Sequence, residues 1–168
     1  MIALVTEQQE ELLQFRAEPW PYQVTFETPL EELERFVQAF LSLFSPQHGN
    51  LAADLIVFDP KTVLAFLSKL NIAIEDQSQF RFRAESAESI AELLQAVLSD
   101  WIDFVFVTSP PALAIYADHD EYTTFYTQDE ASLNTLRASL EQSEFTQVKD
   151  WIREVKWLNQ QYEPTLEQ

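Results

Sequence analysis

Asp118, His119, Asp120 and Glu121 stand consecutively in the chain, and no other stretch gathers so many groups able to ligate a cation or move a proton. Carboxylates and imidazole bind divalent cations, and a turn can aim alternate side chains at one point, so a metal-dependent hydrolase built on these residues is one expectation. The competing reading is conformational: Asp and His are common in hairpin turns because they accept unusual backbone angles and hydrogen-bond their own main chain. Consecutive residues at a strand end also point to opposite faces, which limits how many can converge. The other imidazole, His48, lies in the segment SPQHGN and reads as a surface-loop residue.

Residue types remove most other chemistries. The absence of cysteine rules out disulfides, thiolate nucleophiles and Cys-based zinc or iron–sulfur centres. A single glycine, Gly49, is too few for a phosphate-cradling loop, which needs several positions free of a Cβ. There is no G-x-S-x-G and no histidine on a recognisable partner motif, so a serine nucleophile has no support. Among 28 acidic residues some close carboxylate pairs arise by chance, and such pairing carries no signal for glycoside hydrolysis. No catalytic residue is assigned and no cofactor is expected.

Charge is more informative. With 28 Asp and Glu against 10 Lys and Arg, the formal net charge is −18. Nucleic acid and anionic membrane surfaces are therefore unsuitable partners, because each phosphate contact requires a cation. Between Arg83 and Arg137 there is no Lys or Arg, while Glu85, Glu88, Glu92, Asp100, Asp103, Asp118, Asp120, Glu121, Asp129 and Glu130 accumulate. Such charge keeps a protein soluble without any partner. It also suits a surface complementary to a basic protein, where it steers association and rejects acidic competitors. Aromatic rings among carboxylates suit a cationic partner, so Asp103, Tyr116, Asp118, Asp120, Glu121, Tyr122 and Tyr126 form the expected partner-binding set. Lys149, Arg153 and Lys156, interleaved with Trp151 and Trp157, are expected to pair with the acidic body.

The leading expectation is a non-enzymatic acidic protein-binding module that neutralises or chaperones a basic partner. In size, acidity and lack of cysteine the chain is similar in general character to bacterial immunity proteins that mask the cationic active site of a nuclease toxin. The likeness is compositional and includes no motif. A structural or regulatory subunit of a larger complex is a third reading. The N-terminus lacks a basic leader segment, and no apolar run approaches the roughly 18 to 20 residues that cross a bilayer, so a cytoplasmic protein without membrane insertion is expected.

These residues need a scaffold, and 168 residues with 46% hydrophobic content suit one α+β domain with a single core over 1–162, followed by a frayed tail at 163–168. Helices are predicted near 6–16, 29–44, 60–70, 86–99 and 130–142. Thr6 with Gln9, Thr28 with Glu31, Asp59, Ser86 and Asp129 supply their start signals. Strands are predicted near 23–27, 54–58 and 79–83, and WIDFVFV, ALAIYA and EYTTFYT form an antiparallel meander near 101–127. A further strand near 145–149 precedes a last helix. The 23–27 strand reads as an edge, and Gly49 reads as the left-handed residue that ends the second helix. The sheet is expected to be mixed, mainly antiparallel, and of about five strands.

Overall fold

A computed structural model of the protein describes residues 1–6, 9–17, 20–75 and 80–154. The chain runs β1 (Ile2–Leu4), α1 (Glu10–Ala17), β2 (Tyr22–Glu27), a 3₁₀ turn (Leu30–Glu32) leading into α2 (Leu33–Phe44), β3 (His48–Leu55) and α3 (Lys61–Lys69). It continues through β4 (Arg81–Ala84), α4 (Ala87–Ser99), β5 (Asp103–Ser109), β6 (Leu113–Ala117), β7 (Tyr122–Thr127) and α5 (Glu130–Gln142). The fold is α+β, as its sequence pattern predicts. The described strands form one seven-stranded sheet in the order β1-β4-β3-β5-β6-β7-β2, and every pairing is antiparallel.

The sheet thus has seven strands where about five are expected, and it is wholly antiparallel rather than mixed. β1 is three residues long, too short to show any alternation in the sequence. The helix between β4 and β5 does carry the chain over the sheet, but it lands one strand further on: both strands flank β3 and run antiparallel to it. The meander and the edge position of β2 are as predicted.

Strand alternation sorts the core onto two faces. Phe104 and Phe106 of β5, Leu113 and Ile115 of β6 and Phe125 of β7 pack beneath helices α2 to α5, against Phe36, Phe40, Leu67, Leu94 and Leu136. Val105, Val107, Ala114, Tyr116 and Tyr126 face the other way and meet Leu12, Phe15 and Trp20 around α1. Two buried clusters therefore replace the expected single core. The continuous apolar run of β5 is the mark of a strand covered on both sides.

Local start signals hold where the cap acts within its own helix. Ser86 accepts from the Ser89 amide at 3.0 Å and Asp129 from the Ser132 amide at 2.7 Å. Elsewhere tertiary partners take over. Thr28 makes no cap: its hydroxyl bonds Thr123 Oγ1 at 2.7 Å across the β2–β7 pair. Asp59 does not cap α3; the Thr62 and Val63 amides donate instead to the Asp100 carboxylate, at 3.1 and 2.7 Å. Gln9 closes no capping box, because its amide donates into the sheet, to Asn50 Oδ1 at 2.9 Å and the Phe82 carbonyl at 3.1 Å.

Gly49 is not the residue that ends α2. Ser45 takes the left-handed conformation (φ 43°), and Gly49 lies inside β3, where a Cβ would stand 2.3 Å from the Phe106 ring. The expected strand at 145–149 appears as a single bridge, Phe26 to Gln147, with Val148 N donating to the Thr25 carbonyl at 2.8 Å. Residues 150–154 are not helical. The rest of the expected last helix, with Lys156 and Trp157, and the tail at 163–168 lie outside the described residues, as does Gln79.

Candidate functional site

The β6–β7 turn holds the four consecutive polar residues. Asp118 Oδ1 accepts from the Asp120 and Tyr122 amides at 3.0 and 3.2 Å, which folds the turn around its own carboxylate. Glu121 completes the reversal at φ 74°. His119 leans back onto β5, where its amide and its Nδ1 both lie 2.8 Å from Asp103 Oδ1. Burial pushes the Asp103 carboxyl above its ordinary range, and the hydrogen bond that His119 makes to Asp103 raises the imidazole. Asp120 and Glu121 are exposed to solvent. His119 Nε2 lies 3.8 Å from Asp120 Oδ1, while Asp118 Oδ2 turns to Arg153, and among the described residues no three His, Asp or Glu groups are placed to hold a metal ion.

Most other members of the expected partner-binding set are interior. Tyr116 is 5% exposed and donates to Asp54 Oδ2 at 2.8 Å; Tyr126 is 3% exposed beneath Phe15; Asp103 is 4% exposed. Leu12, Phe15 and Trp20 pack with Tyr116 and Tyr126, Arg153 lies over the Tyr116 ring, and His119 is bonded to Asp103. Burial also raises both tyrosine hydroxyls far beyond their ordinary range. Tyr122 is half-buried against Trp151, with ring centroids 5.3 Å apart.

Arg153 pairs with the acidic body as expected, at a specific place. Its Nη1 lies 2.5 Å from Asp118 Oδ2, Nε donates to Thr124 Oγ1 at 2.8 Å, and Nη2 reaches the Tyr122 carbonyl at 3.4 Å. The guanidinium sits 4.8 Å from the Tyr116 ring centroid and 5.0 Å from that of Trp151. The main chain of Arg153 forms a reciprocal pair with the Gln23 side-chain amide: its N–H donates at 2.8 Å and its carbonyl accepts at 3.2 Å.

A second feature has no counterpart among the sequence expectations. Helices α2 and α4 border an open cleft of about 790 Å³, with Glu34 and Gln38 on one wall and Glu88, Glu92 and Gln95 on the other. Leu41 and Ala91 supply an apolar floor, and the Ser45–Gln47 connection, His48 at the start of β3 and Glu85 complete the lining. Among the described residues no Lys or Arg lines it. Arg83 lies 3.7 Å from Glu85, whereas Glu34, Glu88 and Glu92 have no ion pair among the described residues. His48 Nδ1 is buried beside the cleft and has no hydrogen-bond partner among the described residues. The one signal in the sequence is helical spacing, since Glu34 with Gln38 and Glu88 with Glu92 recur at i, i+4 beside apolar stripes. Taken one helix at a time, those residues are only solvated faces.

No protein-family model, curated protein or solved structure matches this chain. Among the described residues no helix is long and apolar enough to cross a membrane.

Proposed function

We propose that this chain is a non-enzymatic acidic protein-binding module that neutralises or chaperones a basic partner protein, an inhibitor of the immunity-protein kind in character. The cleft between α2 and α4 carries this reading. It offers the carboxylates of Glu34, Glu88 and Glu92, unpaired among the described residues, above Leu41 and Ala91, on a chain of net charge −18. A lysine or arginine can lay its methylene stem on such a floor while its charged head meets the carboxylates. Walls of one sign focus the field and speed the approach of a cationic partner. The expected metal-dependent hydrolase draws no comparable support, since no three of Asp118, His119, Asp120 and Glu121 converge on one point.

Capture from the native host at low salt, with elution at high salt, identifies the partner; titration of that purified partner then tests the cleft. Affinity is expected to fall at least about tenfold between roughly 0.05 M and 0.5 M salt. The double reversal Glu88→Lys with Glu92→Lys is expected to cost a further tenfold or more, about 1.4 kcal/mol or above. Affinity indifferent to salt and to both reversals would show that the acidic cleft is not where the partner binds.

A further inference from the structure

We propose that Asp118, Thr124, Tyr116 and the Tyr122 carbonyl form a guanidinium receptor, filled here by the chain's own Arg153, and that an arginine of a basic partner exchanges with it. The proposal rests on the reading of the chain as a binder of basic proteins, and it adds a second site with a stated ligand group.

The walls of this pocket are set without Arg153. Asp118 is oriented by the Asp120 and Tyr122 amides, Thr124 Oγ1 lies 2.7 Å from Thr25 Oγ1, and the Tyr116 hydroxyl is tied to Asp54. Tyr116 and Thr124 are register partners on β6 and β7, and Asp118 and Tyr122 stand at the turn that joins these strands. The receptor is therefore preorganised by the sheet.

The occupant, by contrast, comes from a segment without helix or strand. After Val148 bonds Thr25, residues 150–154 have no regular structure, Asp150 adopts φ 57°, and Ile152 is 72% exposed. Arg153 itself is held through its side chain and through Gln23.

Chemistry selects arginine over lysine. The carboxylate, hydroxyl and carbonyl receive three different nitrogens of one planar fork, and aromatic rings lie within cation–π range of its face. An ammonium is a point charge and cannot reach all three acceptors together. With the pair formed, the Arg153 and Asp118 side chains are only 10% and 11% exposed, so the carboxylate is covered while Arg153 is in place. A guest arginine must therefore displace Arg153 and replace it, and the tethered side chain reduces the apparent affinity by the fraction of time the pocket is closed.

The test uses the full chain and Nα-acetyl-arginine methylamide as probe, followed by calorimetry and thermal shift. Arg153→Ala is expected to bind the probe saturably, at least about tenfold more tightly than the unsubstituted chain and than it binds the lysine analogue. Adding Asp118→Asn is expected to abolish that gain. A folded Arg153→Ala chain with no saturable arginine binding, or one that takes lysine equally well, overturns the proposal. Should Arg153→Ala not fold, Arg153→Lys, which keeps the charge and loses the fork, is titrated in its place: saturable, arginine-selective binding supports the pocket, and its absence overturns it. Loss of probe binding when Glu88→Lys and Glu92→Lys are added to Arg153→Ala would assign the probe to the α2–α4 cleft, overturning the pocket and leaving the proposed function intact.

Discussion

At the scale of single residues, Asp103 shows how a buried acid is used. It lies at the start of β5 and receives both the amide and the imidazole of His119, so one carboxylate oxygen fastens the β6–β7 turn to the sheet. The folded protein raises Asp103 above 3.8, chiefly by burial, and raises His119 above 6.5, chiefly through Asp103. Both shifts mean that the native state holds protons the unfolded chain has released. The His119 contribution is complete below about pH 6.5 and fades as pH rises through its raised value; that of Asp103 fades in the same direction, beginning in the carboxylate range. Unfolding free energy is therefore expected to fall more steeply between about pH 6 and pH 8.5 in the parent chain than in His119→Gln, measured by urea titration at each pH. Parallel slopes would show that the imidazole is not coupled to Asp103. That these residues form a turn is legible in the sequence, because Asp and His suit turns. That Asp103 anchors it is not, since a strand-start aspartate gives no sign of what folds back onto it.

Elements show where local signals suffice and where they are outvoted. Helix α4 is readable in full, because Ser86 caps it from the adjacent residue and its apolar stripe is regular. The caps of α2 and α3 differ from expectation because their signals compete with partners distant in sequence: Thr28 is drawn to Thr123, and Asp100 reaches the first amides of α3. Gly49 is the sharpest instance. Its neighbours in SPQHGN suggest a helix stop, yet the residue is needed because the Phe106 ring lies where a Cβ would be. Gly49→Ala is expected to destabilise the protein by about 1 to 3 kcal/mol through overpacking, read as a lower urea midpoint with an unchanged slope. Adding Phe106→Leu should recover part of that loss relative to Phe106→Leu alone. An alanine tolerated without cost would mean that β3 and β5 are not packed this closely.

The whole molecule carries its charge against its own compactness. A net charge of −18 with few ion pairs among the described residues leaves long-range repulsion that added salt screens. Sodium chloride at about 0.5 M is expected to stabilise the fold by about 1 kcal/mol over low salt, a rise of a few degrees in Tm. A fall would show that attractive surface pairs outweigh the repulsion. The charge pattern is plain in the sequence, and so is the α+β character of the chain. Its distribution in space is not. Tyr116 and Tyr126, expected on the surface beside acids, are interior, while Glu34, Glu88 and Glu92, which look like separate wet helix faces, line one cleft.

Periodicity, turn chemistry and net charge are properties of neighbouring residues or of simple sums, and the sequence alone therefore determined the principal helices, the meander and the acidic character of this protein. Which side chains meet depends on contacts between positions far apart in the chain. Only the tertiary structure could decide that β5 is covered on both faces, that Arg153 lies on Asp118 and that α2 and α4 bring their glutamates together, because no local pattern encodes the packing of one element against another.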